Sequence, residues 1–256
     1  MRRLLSLALA AAVLACKSLP GGDPEEPTFA TDAQENLRKG NEAMESGDYA
    51  TASRYFDYVK SKYPFLDEAK LADLRIGDAQ LAAEAHIEGR ERFLQFVKMH
   101  PTHADVDYAA FKAAESYWME APDEFFAFPP AFEKDLTLVK QAVNALQAFQ
   151  RDYPTSNHKE EAQKVLDQAR RRLAQHELYV AEFYEKRKQW PAVVNRLKTV
   201  VEQYGNLGYE ADALFRLHAA YKAMNDSQAA TDALKQIITR LPGTPAAQRA
   251  NKLLGS

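Results

Sequence analysis

The chain has 256 residues and a formal net charge of −3, from 33 basic and 36 acidic side chains. This balance argues against a nucleic-acid-binding protein, because such proteins carry a basic surface. The single cysteine excludes an internal disulfide and a zinc site built from cysteines. Few glycines and many alanine, leucine, glutamate, lysine and glutamine residues favour helix.

Residues 1–15 have the pattern of a secretory signal peptide, with a basic pair before an apolar run that is too short to span a membrane. The run ends Val-Leu-Ala-Cys, which resembles a bacterial lipobox, although Leu14 is larger than usual at its position. We expect cleavage before Cys16 and a lipid on its thiol, with about 0.8 kcal/mol of membrane affinity per buried CH₂. The alternative is that Cys16 is an incidental thiol in an ordinary signal peptide. Lys17 after it favours the outer membrane over the inner.

Residues 16–30 are predicted to form a lipidated, flexible tether. Most of this segment is proline, glycine and acidic residues, which cannot bury a core. Folded structure is expected to begin at residue 31, where Thr31-Asp32 is a plausible helix N-cap.

A repeat follows. Each unit is predicted to be a pair of helices that ends at one of five dipeptides: Tyr63-Pro64, His100-Pro101, Tyr153-Pro154, Tyr204-Gly205 and Leu241-Pro242. Tetratricopeptide repeats have a period of about 34 residues, so the first and last intervals match with small additions and the middle two hold insertions. The fold class is therefore predicted to be all-α, a tetratricopeptide-repeat solenoid of about five helical hairpins over residues 31–250. Its N-terminal repeats lie in 31–101 and its C-terminal repeats in 174–250.

The residues inside the units fit close helix packing. In the first unit, Gly40 allows two helices to approach, and Ala52 and Phe56 are predicted to pack against the partner helix. In the fourth unit, a helix ends before a turn at Lys188-Gln189, and the next helix begins at Trp190-Pro191. Arg196 falls outside the apolar face of that second helix, so we expect it to point to solvent or to a partner.

Two insertions interrupt the period. Residues 121–130 contain three prolines and three phenylalanines, so the insert over 121–133 cannot be a continuous helix. Its rings are expected either to fold back as a plug on the array or to form a lip that binds a partner. Residues 157–188 lack proline and glycine, which predicts a long connecting helix that continues into the fourth unit, with a possible bend near Gln175.

No catalytic constellation is found, so we expect no enzyme activity, no cofactor and no metal site. His100 and His103 are close in sequence, but Pro101 separates them and no third ligand is near, so they are predicted to be turn residues. The basic runs 170–172 and 186–188 are expected to be solvated helix surface, with contact to an acidic partner as the alternative.

Three segments together resemble the BamD family, the lipoproteins of the β-barrel assembly machinery. They are Tyr63-Pro64-Phe65, then His100-Pro101-Thr102-His103 with Asp107-Tyr108, and residues 180–196 with their Trp-Pro-Ala-Val-Val-Asn-Arg ending. Their order, the lipobox and the length agree with that family. The departures are Gly205, where the family often has proline, and the phenylalanine-rich insert.

The resemblance implies a scaffold that is lipid-anchored to the periplasmic face of the outer membrane. It would bind the POTRA domains of BamA chiefly through its C-terminal repeats. Arg196 matches the family arginine at that interface, and Asn195 and Trp190 belong to the same run. A charged pair that is partly desolvated at an interface can matter more than an exposed one.

The resemblance also implies that the N-terminal repeats receive the aromatic-ended C-terminal signal of an unfolded barrel protein. The candidates for this peptide groove are Tyr63, Phe65, Tyr108 and Tyr117, and for these rings ordinary inter-helix core is the alternative. Two other functions stay open. One is a different periplasmic repeat scaffold that serves cell-wall or division enzymes, and the other is an enzyme of the cell wall with an unrecognised site.

Overall fold

The computed structural model describes residues 26–122 and 130–255. Within these ranges all regular structure is helical, as predicted, and it comprises eleven α-helices and two short 3₁₀ segments. The helices are α1 (Ala33–Glu45), α2 (Tyr49–Lys62), α3 (Asp67–Ala82), α4 (His86–Met99), α5 (Val106–Glu120), α6 (Thr137–Asp152), α7 (Lys159–Lys186), α8 (Trp190–Tyr204), α9 (Glu210–Ala223), α10 (Ser227–Arg240) and α11 (Pro245–Leu254).

The helices pack as five successive hairpins, α1/α2, α3/α4, α5/α6, α7/α8 and α9/α10, and α11 covers the last one. Each helix also contacts the next along the chain, so one hairpin stacks on its neighbour. The predicted repeat solenoid is confirmed. No described helix is both long and apolar enough to cross a membrane.

The turns inside four hairpins share one backbone device. Each has a residue of positive φ two positions before its second helix: Gly47 at 79°, Glu84 at 61°, Lys188 at 57° and Asn225 at 61°. A left-handed residue reverses the chain within a short turn, and glycine or asparagine adopts it most readily. The third hairpin carries the insert instead.

Proline fixes the ends of four hairpins. The residue before each proline has φ between −130° and −124° and ψ between 51° and 61°: Tyr63, His100, Tyr153 and Leu241. A following proline disfavours the helical conformation, so the helix stops there. Gly205 lacks this constraint, and the chain continues as a 3₁₀ segment, Gly205–Leu207, before Gly208 turns it at φ 94°.

Glycines allow the paired helices to approach closely. A Cβ on Gly40 would overlap the ring of Phe56, and one on Gly77 would lie 2.8 Å from Cζ of Phe93. Both rings are fully buried. The predicted close approach at Gly40 and the predicted packing of Phe56 on the partner helix are confirmed, and the second hairpin repeats this contact.

The long helix predicted over 157–188 is α7, a single helix of 28 residues. Its first half packs against α6, through Ala162 and Leu166, and its second half packs against α8, through Ala181. Helix α7 therefore forms the first half of the fourth hairpin and also packs against the third.

The N-terminal strap, residues 26–30, lies against the first hairpin. Asn36 is fully buried; its Nδ2 donates to the Ala30 and Asp32 carbonyls at 2.9 and 2.7 Å, and its Oδ1 accepts from Ala30 N–H. Phe29 stacks on Tyr58 with ring centroids 4.2 Å apart. The last residues of the predicted tether are thus held by the fold. The predicted cap is confirmed, because Asp32 accepts from Glu35 N–H at 3.0 Å.

The insert is held at both ends on α7. Arg172 Nη1 donates to the Pro122 carbonyl at 2.9 Å, and His176 Nδ1 lies 2.7 Å from the Phe132 carbonyl oxygen. Three of the insert's four phenylalanines fall in residues 123–129, outside the described residues, so plug and lip both stay predictions. The fourth, Phe132, packs on Tyr179 of α7 with ring centroids 5.6 Å apart. The predicted signal peptide and Cys16 also lie outside the described residues.

Candidate functional site

Arg196 is presented on α8 by an ion pair with α7. Its Nη1 donates to both carboxylate oxygens of Glu177, at 3.1 and 3.3 Å. The arginine side chain is 41% exposed and that of Glu177 is 17% exposed. A guanidinium carries five N–H donors, so donors remain for a second carboxylate. Nothing in the sequence marks Glu177 as the partner of Arg196, because the two residues are 19 positions apart on opposite sides of the hairpin turn.

The other two predicted interface residues differ in exposure. Asn195 is exposed, and it is next to Arg196 on α8. Trp190 is only half-buried, but its contacts are with the apolar core of the last two hairpins. Arg196 and Asn195 are therefore accessible on the surface of α8, whereas Trp190 mainly joins α8 to this core.

A second arginine also pairs with a carboxylate of α7. Arg216 of α9 donates from Nε to Glu185 of α7 at 2.9 Å, and from Nη2 to the Leu178 carbonyl at 3.4 Å. Helix α7 therefore supplies carboxylates to arginines of both α8 and α9. These pairs fix the relative positions of the C-terminal hairpins.

Tyr63 and Phe65 lie at the turn between α2 and α3. Tyr63 is half-buried, and its hydroxyl donates to the Thr31 carbonyl at 2.7 Å. Its ring also meets Tyr58 edge-on at 6.3 Å. Phe65 is 98% exposed. Tyr63 thus holds the start of α1 in place, while Phe65 projects from the turn.

Tyr108 belongs to a partly buried polar network. Its hydroxyl donates to Asp78 Oδ1 at 2.5 Å, and Arg75 Nη1 donates to Asp78 Oδ2 at 2.9 Å. Burial, and next the Asp78 carboxylate, raise the pKa of Tyr108 far above its ordinary value. The hydroxyl therefore stays protonated as a donor.

Beside this network is a cavity of about 180 Å³, lined by Tyr108, Arg75, Leu71 and His158 among others. Arg75 Nε is buried and has no hydrogen-bond partner among the described residues. The cavity therefore combines an apolar wall, an aromatic ring and the unpaired Nε–H of a guanidinium whose Nη1 is bound to Asp78. Sequence analysis missed Arg75 and His158, which come from distant parts of the chain.

Tyr117 does not line the cavity beside Tyr108. The guanidinium of buried Arg90 sits 4.1 Å over its ring and donates to Glu120 at 2.8 Å. Tyr117 lines a separate groove of about 280 Å³ between α4 and α6, together with Leu94 and Ala145. The four predicted groove residues therefore do not form one groove: Tyr63 and Phe65 lie in the α2–α3 turn, and Tyr108 and Tyr117 lie at two separate sites on α5 of the third hairpin.

His100 and His103 are turn residues between α4 and α5, as predicted, and both pack on the ring of Phe96. In residues 26–122 and 130–255, no three histidine, aspartate or glutamate side chains are grouped to hold a metal ion.

The basic run 170–172 is not simply solvated surface. Arg170 Nη2 donates to the Gln203 carbonyl at 2.6 Å, and Arg171 Nη1 donates to the Leu207 carbonyl at 3.1 Å. With Arg172 on the insert, all three arginines hold carbonyl groups of neighbouring segments. In the second run, Lys186 pairs with Glu182 at 2.7 Å.

Comparison with known proteins places this chain in a family. The sequence profile of the YfiO family, described as "Outer membrane lipoprotein", matches residues 30–237. A protein of Haemophilus influenzae is 28% identical over 92% of each chain, and one of Neisseria gonorrhoeae is 24% identical over 94% of this chain and 92% of its own. One of Caulobacter vibrioides is 26% identical over 82% and 68%. All three are named "Outer membrane protein assembly factor BamD".

Among solved structures, the TPR2AB domain of yeast Sti1 in its pHSP90 complex aligns with 87% of this chain at a TM-score of 0.44 and 11% identity. The chain belongs to the YfiO family of outer membrane lipoproteins.

Proposed function

We propose that this protein is a lipoprotein scaffold of the outer-membrane β-barrel assembly machinery, anchored on the periplasmic face. It binds the POTRA domains of BamA and unfolded barrel proteins, and it promotes the folding and insertion of those proteins. The observation that carries the proposal is the family match over residues 30–237, together with relatives that are named as assembly factors. We assign it a binding role and no bond-making step.

The BamA interface lies on the C-terminal hairpins around Arg196 and Asn195. Arg196 is partly exposed and retains free donors, so a carboxylate of the partner can share it with Glu177. When the partner binds, water is excluded from this ion pair. The ion pair then contributes more to the binding affinity than an exposed ion pair does. Trp190 contributes by fixing α8 on the core.

The N-terminal hairpins receive the substrate. The cavity beside Tyr108 suits an aromatic-ended, extended peptide, because Leu71 offers apolar surface and Arg75 Nε offers a donor to a carboxylate. Concave sites with an apolar lining and a few placed polar groups are usual for small ligands and chain ends. Tyr117 lines a second groove that is available to the same chain.

Affinity capture tests the proposal. The full-length acylated protein is captured from detergent-solubilised outer membranes after crosslinking in cells, and its partners are identified. We expect BamA and unfolded barrel proteins. Capture of cell-wall or division enzymes without BamA would support the alternative periplasmic scaffold instead.

The anchor is tested separately. A Cys16→Ser variant is expected to appear in the soluble periplasmic fraction, because no acyl chain then holds it on the membrane. A Ser18→Ala variant, two residues downstream, is the matched control and is expected to stay on the membrane. Membrane retention of Cys16→Ser would contradict the proposed lipidation.

A further inference from the structure

We propose that the turn between α2 and α3, with Phe65 and Leu66 at its tip, contacts the surface of the bilayer to which the chain is anchored. This proposal rests on the proposed lipid anchor at Cys16. It adds a second membrane contact that the fold itself provides, and it takes Phe65 out of the peptide groove.

The tip is unusually apolar for an exposed turn. Phe65 is 98% exposed and Leu66 is 45% exposed, while the turn is closed by a hydrogen bond from Leu66 N–H to the Tyr63 carbonyl at 3.0 Å. Pro64 restricts the turn further. Two adjacent apolar side chains are thus held outward on a constrained turn, and exposed apolar surface of this kind marks an interaction site.

The tip projects, whereas peptide sites are concave. A pocket or groove buries most of its ligand between walls. A ring with almost its whole surface exposed has no walls around it, so it cannot enclose a peptide side chain. A protruding apolar tip can, however, enter a soft, deformable surface, and the edge of a bilayer is such a surface.

The anchored end of the chain emerges beside this tip. The hydroxyl of Tyr63 donates to the Thr31 carbonyl at 2.7 Å, and Gln34 of α1 donates to Glu68 of α3 at 3.2 Å. The strap then crosses α2, where Phe29 stacks on Tyr58. The turn and the strap therefore occupy the same end of the first hairpin.

The covalent chain limits how far this end can be from the lipid. Ten peptide units separate Cys16 from Glu26. At about 3.5 Å per residue, even a fully extended segment reaches only about 35 Å. The first hairpin therefore stays close to the membrane surface, and the tip at its end carries the exposed Phe65 and Leu66.

The charges around the tip point to a shallow contact. Lys62 is exposed just before the turn, and Lys70 pairs with Asp67 at 2.7 Å just after it. The lysines complement anionic headgroups, while the exposed Asp67 opposes entry into the hydrocarbon. The occupant is therefore the headgroup region of a bilayer that contains anionic lipid.

Bromolipid quenching of a tryptophan at the tip tests this. Acylated full-length Phe65→Trp protein is reconstituted in phosphatidylethanolamine–phosphatidylglycerol vesicles with brominated acyl chains. The matched control is Met224→Trp, at a 40% exposed apolar position in the turn between α9 and α10. Emission of wild-type protein, from Trp118 and Trp190, is subtracted from both. We expect the vesicles to quench the added emission at 65 by about half and at 224 hardly at all.

Three outcomes would overturn the proposal. The first is equal quenching at 65 and 224 in protein that floats with the vesicles. The second is emission at 65 that responds to an aromatic-ended barrel peptide and not to bromolipid, which would return Phe65 to the substrate site. The third is wild-type protein that does not float with the vesicles at all. That last result would refute the anchor itself, whereas the first two refute only the contact of the tip with the bilayer. Failure of the anchor and failure of the tip contact are therefore distinguishable.

Discussion

Arg196 of α8 lies 3.1 Å from the carboxylate of Glu177 on α7, and this pair presents the guanidinium at the proposed BamA interface. We expect Arg196→Glu to weaken binding to BamA about tenfold or more, or about 1.4 kcal/mol, because it places two like charges where a carboxylate must dock. The free energy of unfolding should fall by only about 1 kcal/mol, since exposed ion pairs contribute little. Binding by surface titration and urea unfolding measure the two effects.

Lys198→Glu is the matched control for that variant. Lys198 is exposed on the same helix, and the substitution changes the net charge equally. We expect it to leave the affinity for BamA nearly unchanged. Equal weakening by both variants would show a general charge effect and contradict the assignment of Arg196.

The left-handed turn residue of the fourth hairpin predicts a stabilising substitution. Lys188 has φ 57°, where a side chain is strained and glycine is not. We expect Lys188→Gly to raise the free energy of unfolding by about 0.5–1 kcal/mol, because relieved strain exceeds the added entropy of the unfolded chain. Lys186→Gly, in the last turn of α7, should instead lower it by about 0.5–1 kcal/mol. Urea unfolding compares the variants, and a shift of the same sign in both would refute the prediction.

The contact of Gly77 with Phe93 predicts a destabilising substitution. A Cβ at Gly77 would lie 2.8 Å from a ring carbon of fully buried Phe93. We expect Gly77→Ala to lower the free energy of unfolding by about 1–3 kcal/mol through overpacking. In the double variant Gly77→Ala/Phe93→Leu, the smaller side chain should relieve part of the overlap. The losses of stability caused by the two single substitutions should therefore not add. Simple additivity in thermal unfolding would argue that the close approach is not the cause.

The buried hydroxyl of Tyr108 predicts a pH-dependent difference. Its pKa is raised in the folded protein, so the folded state keeps a proton that the unfolded chain releases near pH 10. The stabilisation is therefore complete below about pH 10 and is lost as the pH rises beyond it. We expect Tyr108→Phe to cost about 1–2 kcal/mol at neutral pH, through the lost hydrogen bond to Asp78, and less at about pH 11. Urea unfolding at both pH values measures the gap; a constant gap would contradict the role of the hydroxyl.

Local signals in the sequence predicted most of the fold. The dipeptides with proline, such as Tyr63-Pro64, mark helix ends because proline acts on the residue before it. Asp32 caps α1 by accepting from the N–H of Glu35, only three residues further on. The contact of Gly40 with Phe56 follows from the repeat pattern.

Contacts between distant residues could not be predicted in this way. The pairing of Arg196 with Glu177 and the cavity beside Tyr108 depend on how whole helices are placed side by side. The packing of Phe29 on Tyr58 could not be predicted either, because the composition of residues 16–30 predicts a flexible tether. The same holds for the arginines of residues 170–172, whose carbonyl partners are 33 to 50 residues away.

Helix α7 also sets the distance between the two proposed binding sites. His158, at its N-cap position, lines the cavity beside Tyr108, and Glu177 holds Arg196 about 28 Å further along, at 1.5 Å per residue. If both proposed sites are used, a client in the cavity and BamA at Arg196 are held at a fixed separation. Adding or removing one helical turn in this rod would shift that spacing by about 5 Å and so put the two sites out of step, even with every contact residue unchanged.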